Sequence, residues 1–124
     1  MKADRPINLD LATISFPLPA INSILHRITG IALFIGSAFM VWFLYLSLSS
    51  PAGFAQATSA ASHGLAKFII WGTLSVLIFH LTAGIRHLLM DMGIGETLEA
   101  GRRSSWAVVA VSVVLIILAG VWVW

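Results

Sequence analysis

The strongest constraint in this sequence is the placement of its charges, because three stretches of about 18–21 residues carry none at all. The first runs from Ile28 to Leu48, the second from Phe68 to Ile85, and the third from Trp106 to Trp124. An α-helix rising 1.5 Å per residue needs about 20 apolar residues to cross roughly 30 Å of hydrocarbon. Each stretch therefore predicts a transmembrane helix, and none shows the alternation of a membrane β-strand. Composition agrees: 59% of the side chains are hydrophobic and 10% charged, where soluble domains run near 45–50% and 25%. A chain of 124 residues with so little polar surface predicts a single all-α membrane domain rather than a soluble fold, a disordered segment or a fibrous repeat. There is no cysteine, so thiolate-held iron–sulfur and zinc sites are excluded. The net charge of +2 is too small to argue for nucleic acid; its use is to orient the chain.

Six of the seven basic residues fall on one side of that topology. Lys2, Arg5 and Arg27 precede the first span, Arg86, Arg102 and Arg103 lie between the second and third, and Lys67 alone lies between the first and second. The positive-inside rule makes the amino-terminal side cytoplasmic, with the carboxy-terminus a residue or so beyond the opposite face and no external domain. Trp71, Trp106, Trp122 and Trp124 fall near span ends as interfacial aromatics do, whereas Trp42 is deep enough to be a packing residue. Residues 1–22 are predicted to be a cytoplasmic or interfacial segment. Pro17 and Pro19 interrupt its apolar part, which argues against a signal peptide, and its apolar residues favour docking on a membrane surface or a partner. Residues 49–66 are expected to form a neutral outer loop, with His63 exposed in it.

Polar residues within lipid are costly and point to function. His80 is the one ionisable residue well inside a span, about six residues from Arg86. A neutral imidazole bonded to a neighbouring helix and a metal or haem ligand both fit that position. Gly84, one turn away on the same face, would let a flat macrocycle approach the backbone, and His87 follows at i+7. His80 and His87 are separated by about 10 Å along one helix, so they cannot both ligate one iron; His26 is too shallow, and a second ligand is expected from another subunit. Ser23 and Arg27, at i and i+4, share a helix face beside His26. A hydroxyl next to a guanidinium suits a quinone carbonyl or haem propionates; a helix cap and an interfacial anchor explain the same pair. Asp91, four residues past His87, either accepts its N–H or belongs to a solvated pair.

These residues stand in a longer pattern: RPINLDLATISFP at residues 5–17, SILHRITG at 23–30, LSSPAGF at 48–54, KFIIWG at 67–72, HLTAGIRHLLMDMG at 80–93 and LEAGRRS at 98–104. Over almost the whole chain this resembles the cytochrome b membrane-anchor subunit of bacterial succinate dehydrogenase, the larger of the two anchors of respiratory Complex II. The pairing of S-x-x-H-R-x-[ST]-G with H-x-x-x-G-x-R-H-x-x-x-D one span later is more specific than either half. The resemblance implies a three-helix anchor in the bacterial inner membrane, packed against a smaller three-helix anchor with haem b between them. It makes His80 the axial iron ligand, with the second histidine supplied by the small anchor. His26 and Arg27 then lie near the propionates, with Gly84 and His87 on the cofactor face. Ser23 and Arg27 would bind ubiquinone, with Ile24 and Phe16 as its apolar wall. Ser15 departs from the family's pattern, standing where a basic residue precedes the Phe-Pro pair. The implied partners are an iron–sulfur subunit and a flavoprotein that carries the succinate chemistry. Rival readings are a fumarate reductase anchor, and a small transporter or assembly protein using His80 as a proton relay.

Overall fold

The structure, a computed structural model, describes residues 7, 9, 10 and 12–124. Lys2 and Arg5, which enter the charge count for orientation, lie outside the described residues, as does part of the amino-terminal strip. Among the described residues the fold is helical throughout: α1 (Leu18–Ser49), α2 (Pro51–Ala61), α3 (Gly64–Asp91) and α4 (Leu98–Val123). Three of these, α1, α3 and α4, are long and apolar enough to cross a membrane, and each contains one of the predicted spans, apart from the capping Trp124. At 32, 28 and 26 residues they measure about 48, 42 and 39 Å, so each is longer than a hydrocarbon core is thick.

Helix starts follow local chemistry. Pro17 is the N-cap of α1 and Pro19 sits in its first turn, where a missing N–H costs nothing because that group has no intrahelical partner. The prolines thus begin the helix at Leu18, and residues 18–22 belong to it rather than to a surface strip. The predicted outer loop is corrected too: residues 51–61 form α2. Ser50 caps it by accepting the Gly53 N–H at 2.9 Å, Pro51 occupies the first position, and alanines supply the helix propensity. Gly53 lies against the Leu46 carbonyl of α1, a contact that a Cβ would block. His63 is exposed, as expected, and serves as the N-cap of α3. At the other end of α3, the Ile94 N–H bonds the Leu89 carbonyl at 2.9 Å. Gly93 takes φ +79° there, a left-handed value that favours glycine. Thr97 then caps α4 through the Ala100 N–H.

The interior is the reverse of a soluble core. Its buried residues are small or polar, among them Ala57, Ala83, Val108, Asn22, Ser105 and Ser112, while Phe34, Leu48, Ile31 and Trp122 face outward. Trp42 touches Phe39 at a ring distance of 6.0 Å but is more than half exposed. Without a hydrophobic drive between helices in lipid, small residues allow close approach and polar side chains join the helices. α3 meets α4 through Thr82 and Ser112, whose hydroxyls are 2.7 Å apart, and through Trp71, whose indole donates to the Ile116 carbonyl at 3.0 Å beside Gly120. Asn22 of α1 donates to the Ser105 carbonyl of α4 at 3.1 Å. The Thr82–Ser112 and Asn22–Ser105 contacts bring the start of α1, the end of α3 and the start of α4 together as one basic end of the bundle.

Candidate functional site

Three of the four histidines converge at that basic end. The rings of His26 on α1 and His80 on α3 are stacked, 4.0 Å apart and 13° from parallel, and the His87 ring lies 6.3 Å from that of His26. His80 is held from α1 by two oxygens: its Nδ1 is 3.0 Å from the His26 carbonyl and 3.1 Å from Thr29 Oγ1. Thr29 Oγ1 also donates to the His26 carbonyl at 3.0 Å. Gly30 permits this approach, since a Cβ there would stand 3.2 Å from His80 Cε1. Because a carbonyl oxygen only accepts, the Nδ1 bond to it places the imidazole proton on Nδ1 and leaves the Nε2 lone pair free. Among the described residues Nε2 has no hydrogen bond.

His80, Gly84 and His87 share one face of α3, and with His26, Leu81, Ile85 and Leu88 they line a cleft of about 320 Å³ on the flank of the bundle. The group lying over Gly84 in this structure is the His26 imidazole, whose Nε2 is 3.3 Å from where a Cβ would be. The residues fit one axial position of a haem: an imidazole with Nδ1 engaged and Nε2 open, beside an apolar cleft. Among the described residues neither of the neighbouring histidines opposes His80: His26 is stacked parallel to it, and His87 lies two turns along the same helix.

A smaller and more polar cavity of about 140 Å³ adjoins this cleft, lined by Asn22, Ser23, His26, Arg27, Ala83, Arg86 and His87. Ser23 and Arg27 thus share a face, as their spacing predicts. Phe16 and Ile24 are not brought to this cavity; they are 41% and 44% exposed and face outward. His87 and Asp91 form a solvated pair on α3: Nε2 and Oδ2 are 3.8 Å apart and both side chains are mostly exposed, too far for a hydrogen bond.

Sequence reasoning missed Asn22 and Thr29, and it used Arg86 only as a boundary charge. Arg86 reaches across to α4, donating from Nε to Ser104 Oγ at 2.9 Å and from Nη2 to the Gly101 carbonyl at 3.2 Å. A signal for the first two exists, because Asn22, His26 and Thr29 recur at i, i+4 and i+7, the stripe that one helix face presents.

Comparison with known proteins gives a consistent result. Residues 1–119 match the family model described as succinate dehydrogenase/fumarate reductase transmembrane subunit. The chain is 45% identical over 125 aligned positions to the succinate dehydrogenase cytochrome b556 subunit of Coxiella burnetii, covering the whole of both proteins. It is 40% identical to the subunit of the same name from Paracoccus denitrificans, over 94% of this chain and 90% of the relative. The mitochondrial succinate dehydrogenase cytochrome b560 subunit of Bos taurus is 34% identical over 89% of this chain and 66% of its own length.

Proposed function

Because this chain belongs to the succinate dehydrogenase/fumarate reductase transmembrane subunit family, we propose that it anchors a succinate dehydrogenase in the bacterial inner membrane, carries haem b and passes electrons from an iron–sulfur subunit to ubiquinone. The observation that carries the haem reading is His80, held at Nδ1 by the His26 carbonyl with Nε2 open beside the cleft. The names of the relatives, cytochrome b556 and b560 of succinate dehydrogenase, support the cofactor class and favour succinate oxidation over the fumarate reductase direction.

When bound, haem b would supply a one-electron redox centre. The His26 carbonyl and Thr29 Oγ1 orient the imidazole and raise its basicity as a ligand. Arg27, with His26, would neutralise the propionate carboxylates. Ser23 and Arg27 present a hydroxyl and a guanidinium to the cavity. Donors of that kind stabilise the negative charge that develops on a quinone oxygen during reduction. Ile24 and Phe16, which face outward from this chain, would serve as an apolar wall only with the rest of the complex around them. Gly84 and His87 complete the cofactor face.

The second axial histidine would come from a smaller three-helix anchor. The succinate chemistry would reside in a flavoprotein, with an iron–sulfur subunit seated at the cytoplasmic, basic end of the bundle. The test is the optical and magnetic spectrum of the purified complex. The wild type is expected to show low-spin bis-histidine haem, and His80→Leu is expected to lose the six-coordinate signature even where haem is retained by other contacts. An unchanged bis-histidine spectrum in that variant refutes the ligand assignment; a colourless, haem-free wild-type complex refutes the function and favours a proton relay.

A further inference from the structure

Thr29 lies three residues after His26 on one face of α1, and together they bring two oxygens to one ring nitrogen of His80. Thr29 Oγ1 is 3.1 Å from His80 Nδ1, and the His26 carbonyl oxygen is 3.0 Å from the same nitrogen. The two oxygens are themselves 3.0 Å apart. Three polar atoms thus close a triangle that contains two hydrogens, the Nδ1–H and the Thr29 O–H. The carbonyl has no hydrogen of its own and accepts. With its single hydrogen given to the His26 carbonyl, the Thr29 hydroxyl turns lone pairs toward Nδ1. The reverse roles, with Thr29 donating to an unprotonated Nδ1, would set the nitrogen lone pair against the carbonyl oxygen.

The imidazole N–H is therefore shared between two acceptors, one from the backbone and one from a side chain. Both contacts are partly buried, where a hydrogen bond is electrostatically stronger than in open water. Pulling on the Nδ1 proton leaves more negative charge in the ring, and the Nε2 lone pair becomes a stronger donor. A stronger axial donor favours ferric over ferrous iron and so lowers the reduction potential, one of the levers by which a protein tunes haem. The second acceptor adds to the first.

We propose that Thr29 is a positioning residue that, acting through His80, holds the reduction potential of a haem bound at Nε2 below the value the His26 carbonyl alone would set. The carbonyl belongs to the backbone, so no side-chain substitution removes it. The hydroxyl is the half of the pair that the sequence can change, which makes position 29 the place where this chain sets the potential from the Nδ1 side. The proposal rests on the reading of His80 as an axial ligand, and His80→Leu tests that reading by itself.

The test is a potentiometric titration of the haem, followed optically, in the assembled complex carrying wild-type chain, Thr29→Val, Thr29→Ala or Thr29→Ser. Valine keeps the shape and loses the hydroxyl, alanine loses hydroxyl and methyl together, and serine keeps the hydroxyl alone. The midpoint potential is expected to shift upward in Thr29→Val and Thr29→Ala and to return toward the wild-type value in Thr29→Ser, with haem content and the low-spin spectrum retained throughout. A potential unchanged or lowered in the valine and alanine variants overturns the proposal. So does a serine variant shifted as far as they are, which would assign the effect to packing of the methyl group. Loss of haem from the valine and alanine variants alike also overturns it, since the hydroxyl would then hold the site together rather than tune it. An unchanged bis-histidine spectrum in His80→Leu removes the ligand reading and this proposal with it. A flat series of potentials alongside a disrupted His80→Leu spectrum removes the role of Thr29 and leaves the ligand reading standing.

Discussion

Arg27 and Ser23 carry the test of the quinone end of the site. If Arg27 only anchored α1 at an interface, lysine would replace it almost fully, since both side chains snorkel. A ligand-binding role predicts that Arg27→Lys impairs electron transfer to quinone, because lysine lacks the planar fork of donors, while succinate oxidation by a dye accepting electrons upstream survives. Ser23→Ala removes one hydrogen bond near a developing charge, worth about 1.5–3 kcal/mol, and is expected to lower quinone reduction roughly 10- to 100-fold. The assay compares both acceptors on the same membranes, with haem content and assembly measured first; wild-type quinone rates in both variants return these residues to cap and anchor. At this scale the sequence was legible where chemistry and spacing coincide. His80 stands out because lipid makes an imidazole expensive, and Ser23 with Arg27 because i and i+4 share a face. Thr29 and Arg86 did not stand out, because what matters in each is a partner on another helix, His80 and Ser104 respectively, and spacing within one helix carries no information about that.

Among the helices, the joint between α3 and α4 far from the basic end rests on Trp71, whose indole N–H reaches the Ile116 carbonyl while its ring covers Gly120. Trp71→Phe keeps most of the ring and removes the bond. Interhelical hydrogen bonds in membranes average about 0.6 kcal/mol, so the variant is expected to lower the thermal or denaturant stability of the complex by that order while leaving its spectrum unchanged. A loss of haem in Trp71→Phe would mean that this joint positions the site as well as the helices. The three long helices were legible because absence of charge over about 20 residues has one main physical meaning. α2 was not, because its alanines, serine and threonine form no apolar stripe. Its start signal, Ser50 followed by Pro51, is two residues long and becomes decisive only when Gly53 can close on Leu46 of α1.

For the molecule as a whole, orientation is a separate expectation that family membership leaves open. With the basic end cytoplasmic, a periplasm-active reporter fused after Trp124 is expected to be active, and the same reporter inserted near Gly95 inactive; the opposite pattern reverses the topology. Interior packing was the least legible property, since a chain whose buried groups include Asn22, Ser105 and Ser112 cannot be read by the rule that apolar residues go inside.

The imidazole of His80 belongs to α3, yet the oxygens that fix its proton belong to α1, more than fifty residues earlier in the chain. Its tautomer is therefore a tertiary property. In an isolated α3 peptide the two ring nitrogens would compete for iron on nearly equal terms, and only docking of α1 selects one of them. On the proposed ligand role of His80, cofactor loading would then report on helix association: a bundle that has not closed at Gly30 would offer iron an unselected nitrogen.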